Sequence, residues 1–496
     1  MTEVDVFIAG GGIAGLAAAA RLSEAGISVM LADPAPVALD GGEDGADLRS
    51  TAFLQPARDL FETCGLWEAL APRATPLEIL RVLDTRGQPP EIVTDRAFRA
   101  DDLGEATFGW NLPNWLTRKV LADALGSAPG VELRFGVGVM GLLTRSTEAR
   151  VTLSDGTRVA ARLVIAADGR ASTLREAAGI TVRQWRYGQK ALAFAVAHDL
   201  PHENISTELY LSGGAFTLVP LPDHQGRPAS AVVWMDDGPD SLRRAALDTP
   251  ALGREATARS CGILGALVPI SRVAVFPVVT QIADSLIAER TALIAEAAHV
   301  MPPIGAQGLN TSLQDVAALG HLAETRAGEI GTPAFLDAYA RARGRDLAAR
   351  ARVIDAFNRL CRSGAPVFQD MRSRGLALIH DFRPLRETVM KAGLGGSTAS
   401  STTLSSRPSH HRRDILARVG LGGPVPPSRH DPVPALVLRR IKRLIGHTDR
   451  LFKLVRGAML GHADRHGHVE RLARDQDRHL RHPSPDALGQ RQRIGP

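Results

Sequence analysis

The stretch VDVFIAGGGIAGLAAAARL, residues 4–22, decides how the N-terminal region folds. Asp5 to Ala9 is a short apolar strand. Gly10, Gly12 and Gly15 then fit the G-x-G-x-x-G pattern. Gly10 allows a tight turn, Gly12 lets the backbone approach a pyrophosphate, and Gly15 lets helix and strand pack closely. A helix expected from about Ile13 to Ala25 aims its first amides at the phosphates. A second strand, Ser28 to Ala32, ends at Asp33, where an acidic side chain would hold a ribose hydroxyl. Strand, helix, strand and acid make a dinucleotide-binding unit, the alternative being a glycine-rich turn without ligand. The fingerprint alone does not separate FAD from NAD.

Two later stretches narrow the choice. LVIAADGRASTLREAAGI, residues 163–180, carries Asp168-Gly169 between an apolar strand and a short helix with Ser172 and Arg175. TALIAEAAHVMPPIGAQGLNTSLQD, residues 291–315, passes Glu296, His299, Pro302 and Pro303 before Gly305 to Asn310 open a helix to about Leu322. The amides at a helix N-terminus carry partial positive charge and suit an anionic ring.

In this order and spacing the three stretches resemble the class A flavoprotein monooxygenases, over about residues 4–395. The resemblance implies an α/β fold: a Rossmann-like FAD-binding domain with an interleaved, mostly antiparallel substrate sheet, then C-terminal helices and a basic tail. It also implies FAD, with NADPH or NADH and dioxygen as co-substrates, and hydroxylation of an aromatic ring through a flavin C(4a)-hydroperoxide. Gly308, Leu309 and Asn310 then supply contacts to the flavin pyrimidine. Asp168 and Gly169 lie between flavin and nicotinamide, and Glu296 takes the family's Asp place at the ribityl chain. Arg49, in DLRSTAF, matches a family arginine that reaches FAD; its other reading is a solvated surface arginine. Asn114, in FGWNLPNWL, is a weaker carry-over from the family, its other and preferred reading being capping or turn work. His299 is read as structural rather than as a base, and no side chain is named as the base that deprotonates the ring. One departure stands out: the family's Gly-Asp-Ala-Ala-His is Ala295-Glu296-Ala297-Ala298-His299 here, which adds a methyl where backbone approaches cofactor.

Domain boundaries follow from the order of segments. Residues 1–184 form the first part of the FAD-binding domain and 185–280 a strand-rich substrate insert. Residues 281–396 return to the FAD-binding domain and its C-terminal helices, and 397–496 are linker and tail. Between Glu208 and Asp236 the one fixed cation is Arg227, in a turn. An aromatic carboxylate needs a buried Arg or Lys partner, so an apolar phenol is favoured, with Lys190 or a distant arginine as the open exception. YGQKALAFAV, LVPL…VVW and the region after FLDAYARAR look most similar to the ubiquinone-biosynthesis hydroxylases, which oxidise polyprenyl phenols. The alternatives are a catabolic hydroxylase of a small phenol and a flavin-binding protein without turnover.

The 496 residues are 44% apolar, enough for a sizeable core over two or three domains. Cys64, Cys261 and Cys361 are far apart and show neither metal spacing nor a disulfide framework, which suits a reducing cytoplasm. No signal peptide or apolar run long enough to span a bilayer is evident. The net charge of +6 hides a split: residues 397–496 hold 19 Lys+Arg and 8 Asp+Glu, a local +11 against −5 for the rest. Within it, ALVLRRIKRLIGHTDRLFKLVRGAML has the pattern of a basic amphipathic helix. It suits the anionic inner face of a membrane or a quinone-biosynthesis complex; the plain alternative is docking on the body or another subunit. No nucleic-acid module accompanies the charge.

Overall fold

The computed structural model describes residues 2–394, apart from positions 44, 212 and 364. The expectations for the tail lie outside the described residues.

The glycine fingerprint sits at the centre of an eight-stranded sheet. Thr2–Ala9 runs parallel to Arg158–Ala166 on one side, with Phe7 opposite Val164, and to Val29–Asp33 on the other, with Phe7 opposite Met30. Val131–Phe135 and Thr291–Leu293 extend it in parallel at the two sides. Parallel strands are covered on both faces and so read as apolar runs rather than alternations; Val6 to Ala9 and Leu163 to Ala166 are buried throughout. The Ile13–Glu24 helix is buried continuously from Ile13 to Leu22. Its alanines bring it against the Gln307–Thr325 helix, where Leu16 and Ala17 share a core with Leu313, Val316 and Leu319. The D-G sequence at Asp155-Gly156 makes the hairpin between Ala149–Leu153 and Arg158–Ala166.

A nine-stranded sheet carries the strands expected around residues 185–280. Ala274–Ala283, Val182–Ala197, Arg227–Asp237, Gly214–His224 and Ile205–Leu211 are successive antiparallel neighbours. Ile79–Arg86 and Glu91–Arg99, from far upstream, complete it beyond Ile205–Leu211. Its two faces differ. Leu192, Phe194, Leu209, Phe216, Leu218 and Trp234 form one core with Leu252 and Ala256 of the Thr249–Arg259 helix. Val82, Ala191, Tyr210, Ala215 and Met235 face the other way, toward Ile304 and the helices Pro333–Arg362, Pro366–Asp381 and Arg383–Leu394. The result is the expected class: a Rossmann-like domain with an interleaved, mostly antiparallel sheet and C-terminal helices. Among the described residues no helix is long and apolar enough to cross a membrane.

Candidate active site

The three fingerprint glycines answer to different constraints. Gly10 has φ +104°, and an added Cβ would lie 2.3 Å from the Ala167 carbonyl oxygen. A Cβ at Gly15 would lie 1.9 Å from the Gly10 oxygen. Both are dictated by backbone packing. A Cβ at Gly12 would meet no atom within 4 Å, so this residue opens onto free space at the N-terminus of the Ile13–Glu24 helix. Asp33 accepts from the Gly11 amide at 2.6 Å and from the Ala35 amide at 2.7 Å. Arg118 braces the same turn: it donates to the Gly11, Pro36 and Ala35 carbonyls at 2.8, 2.8 and 3.0 Å, with its guanidinium over the Phe135 ring.

Asp168 follows the Arg158–Ala166 strand. Its Oδ2 accepts from the Leu174 amide at 3.1 Å, while Oδ1 is buried and receives no hydrogen bond from the protein. Gly169 has φ +85° beside open space. Ser172 caps the Thr173–Ala177 helix, and buried Arg175 donates to the carbonyls of Arg170 and Ala297 at 3.0 and 3.1 Å. Arg175 thereby ties the second stretch to the third.

In the third stretch Ala295 has φ +54°, the left-handed region that favours glycine. Its amide donates to Asp315 at 3.2 Å. Asp315 is fully buried and also binds His299 Nε2 and Arg343 Nε, each at 2.7 Å. Burial works against the Asp315 carboxylate, but the charges and hydrogen bonds of His299 and Arg343 prevail and hold its pKa below the ordinary value. His299 is thus held within the protein by a carboxylate. Arg49 clamps Asp47 with Nε and Nη2 at 2.8 Å each, and its Nη1 lies 3.6 Å from Glu296. Its guanidinium stands 5.0 Å from the centre of the Phe276 ring. Asn114 holds Asp47 through Nδ2 at 2.9 Å and accepts from Thr51 at 2.7 Å, a bracing role. Ala306, φ +55°, precedes the Gln307–Thr325 helix, and a Cβ at either Gly305 or Gly308 would enter open space. The Asn310 side chain is fully engaged, with Leu54 N, Ala52 O and Ala306 O at 2.9, 2.7 and 2.7 Å.

The inward face of the antiparallel sheet carries ionisable groups in an apolar setting. Tyr210 donates to Glu208, and both are buried. Burial pushes the Glu208 carboxyl above its usual range, against the hydrogen bonds from Tyr210 and the Gly305 amide. Burial, with Glu208 alongside, pushes the Tyr210 hydroxyl well up. Arg227 is an exposed turn residue paired with Asp199 at 3.1 Å. A distant arginine does enter: Arg372, from the Pro366–Asp381 helix, is fully buried, but its Nε binds Asp84 at 2.7 Å. Arg259 is buried against the opposite face, donating to the Leu209 and Gly214 carbonyls.

The FAD binding domain family matches residues 3–353. The ubiquinone hydroxylase UbiL of Rhodospirillum rubrum is 31% identical over 401 residues, covering 79% of this chain and 89% of its own. This chain belongs to the FAD-dependent ubiquinone hydroxylase family. The 3-demethoxyubiquinol 3-hydroxylase of Escherichia coli is 28% identical over 319 residues, 64% of this chain and 78% of that one. In fold, p-nitrophenol 4-monooxygenase PnpA from Pseudomonas putida aligns with a TM-score of 0.66 at 18% identity, over 80% of this chain and all of that one.

The hydroxylase is an FAD enzyme, with a nicotinamide as the family's reductant, and its residues fit the cofactor. Open space at Gly12 and Gly308, the unpartnered Asp168 oxygen, and the Arg49–Glu296 pair are the features such a group would fill and bond. Arg118, Asp47, Arg343 and Glu208 carry no sequence signal of their own. The one trace is Asp315, seven residues beyond Gly308 on the same helix and so inward-facing with it.

Proposed function

We propose that this monooxygenase hydroxylates the ring of a polyprenylated phenol in ubiquinone biosynthesis. The observation that carries this is the 31% identity to a ubiquinone hydroxylase over 89% of that protein's length. The site supports it in two ways. The substrate face of the 185–280 insert is apolar, and its buried arginine is neutralised by Asp84. That leaves no free buried cation on this face, among the described residues, for an aromatic carboxylate.

In this reading Gly10 and Gly15 shape the turn, Gly12 admits the FAD pyrophosphate, and Asp33 holds the adenosine ribose. Arg49 and Glu296 flank the ribityl chain. Asp168 and Gly169 stand between flavin and NADPH or NADH. The Gly308, Leu309 and Asn310 backbone faces the pyrimidine ring at a helix N-terminus, where partial positive charge favours the reduced, anionic flavin. FAD supplies the oxygen-transfer chemistry; the protein binds, orients and excludes water. The tail after 396 would hold the enzyme at the inner membrane face, through its basic residues and anionic lipid.

Deleting the gene tests the assignment. Cells should accumulate a prenylated quinone precursor lacking one ring oxygen, while normal quinone levels with loss of growth on a small phenol would favour a catabolic role. Truncation after Gly396 should keep the flavin spectrum and weaken salt-sensitive binding to anionic vesicles. Equal vesicle binding by both forms removes the membrane role.

A further inference from the structure

We propose that Glu208, oriented by Tyr210, is the group that receives the hydroxyl proton of the phenol substrate. The proposal rests on the reading of the substrate as a phenol and adds the residue that reads its hydroxyl.

The placement comes from the period of the sheet. In the register, Glu208 lies between Val82 and Thr217, and Tyr210 between Asp84 and Ala215. These six side chains share the inward face. That face meets Ile304, and the backbone amide of the next residue, Gly305, lies near enough to the Glu208 carboxyl to oppose the rise in its pKa. Gly305 begins the turn into the helix that the flavin pyrimidine would face, and a Cβ there would meet no atom within 4 Å. The carboxyl therefore belongs to the inward face of the sheet and lies beside the turn that leads into the Gln307–Thr325 helix.

A purely structural role accounts poorly for the pair. Glu208 keeps 9% of its surface and Tyr210 2%, among Val82, Ala215, Met235, Val278 and Ile304. A carboxyl in such surroundings is costly, and two apolar side chains of similar volume would pack as well or better. The neighbouring charges are already balanced elsewhere: Arg372 is bonded to Asp84, and Ser373 donates to the same Asp84. Cys361, with its thiol pushed up by burial, is not a competing acid at neutral pH. Glu208 keeps a neutral donor, the Tyr210 hydroxyl, with the neutral Gly305 amide nearby. An acid raised by burial is the kind of group that exchanges protons near neutrality. Tyr210 stays protonated and fixes the carboxyl by donating to it, with its ring edge-on to Phe357 at 5.5 Å.

The step balances. The phenol O–H bond breaks, its proton goes to a Glu208 oxygen, and the electron pair stays on the phenol oxygen. Density rises at the ring carbons ortho and para to it, which makes them nucleophilic toward oxygen. One atom of dioxygen enters the ring and the other leaves as water, with two electrons from the nicotinamide. The ring carbon loses its hydrogen as a proton, and Glu208 returns its own to the product oxygen. The same carboxylate disfavours an aromatic acid, so one residue would serve both activation and selection.

The test uses the full-length FAD enzyme with ortho-geranylphenol and its methyl ether. Binding is read from the shift of the visible flavin spectrum, and turnover from hydroxylated product. Wild-type enzyme should bind the phenol about tenfold to a hundredfold more tightly than the ether, the worth of one hydrogen bond to a charged acceptor. Glu208→Gln should retain FAD and nicotinamide oxidation, lose that preference, and lower the hydroxylation kcat by roughly a hundredfold to ten-thousandfold, diverting electrons to hydrogen peroxide. Tyr210→Phe should lower kcat by less, with KM nearly unchanged. A Glu208→Gln enzyme that hydroxylates within threefold of wild type overturns the proposal, as does wild type that binds ether and phenol equally. Should Glu208→Gln lose FAD, the wild-type preference and its reduction in Tyr210→Phe decide in the same sense. If wild type hydroxylates no prenylphenol, the substrate reading fails on its own, while a Glu208-dependent preference in binding would still uphold the present assignment.

Discussion

Asp315→Asn probes what holds the third cofactor stretch in place. The carboxylate accepts from His299 and the Ala295 amide through Oδ2, and from Arg343 through Oδ1. The amide keeps one carbonyl oxygen. Turned toward Arg343, it sets its NH2 group against the Ala295 N–H, donor against donor. Turned the other way, it sets that group against the Arg343 Nε–H. In both cases a guanidinium only 7% exposed loses its buried counter-charge and keeps Asp346, itself 36% exposed, at 3.0 Å. Breaking a buried pair costs about 3–5 kcal/mol, a large part of a typical total of roughly 5–15 kcal/mol. For a chain of 496 residues, an unfolding entropy of about 2.1 cal/mol/K per residue makes each kcal/mol worth about 1 °C, so calorimetry of the apoprotein at neutral pH should show a melting point lower by roughly 3–5 °C. The pH dependence has a defined sign. The folded pKa of Asp315 lies below its ordinary 3.8, so the contribution is fully present above that value and disappears as pH falls through the folded pKa. Wild type and variant should therefore converge in acid. Melting within about 2 °C of wild type at neutral pH would refute the reasoning.

Three further outcomes follow from the site. Gly12→Val should yield a folded, colourless protein, because its side chain enters open space on the proposed pyrophosphate path, whereas Gly15→Ala should fail to fold against the Gly10 carbonyl; absorbance of the purified proteins checks both. Glu296→Ala should weaken FAD about tenfold to a hundredfold in a fluorescence titration, with Glu296→Gln milder, and an unchanged dissociation constant removes Glu296 from the site. Ala295→Gly relieves a left-handed alanine worth about 1–2 kcal/mol and restores about 0.4–1 kcal/mol of unfolded-state freedom. A net gain of roughly 0.5–1 kcal/mol should appear in urea unfolding, and a loss would show that the buried Ala295 methyl packs productively.

The cofactor side of the molecule was legible because glycine and proline leave local marks. Gly10, Gly15 and the Gly305 turn are required by backbone geometry within a few residues, so their pattern survives without the rest of the fold. The helix ends nearly agree, Glu24 against an expected Ala25 and Thr325 against Leu322. What the sequence could not display are partnerships set by the tertiary fold. Arg343 meets Asp315 across 28 residues, Arg118 meets Gly11 across 107, and Arg372 meets Asp84 across 288. The strands between Glu208 and Asp236 hold Arg227 alone, while the arginine that reaches this face, Arg372, comes from a helix far downstream. Glu208 bears no mark of its own in the sequence, because alternation alone does not tell which face of a strand meets the turn at Ile304 and Gly305.

The two-faced sheet bears on how such an enzyme changes its substrate over time. In the strands Val182–Ala197, Gly214–His224 and Arg227–Asp237 the inward residues are odd-numbered, among them Ala191, Ala193, Thr217, Val233 and Met235, whereas in Ile205–Leu211 the parity reverses: Glu208 and Tyr210 face inward, and Leu209 joins Leu192, Phe194, Phe216, Leu218 and Trp234 against the supporting helix. Drift at the outward positions is restrained by the core they form with the Thr249–Arg259 helix, while drift at the inward positions changes the other face of the sheet. A library confined to the inward set would search for new phenols while sparing the core against the helix, and one confined to the outward set would yield unstable proteins of unaltered taste.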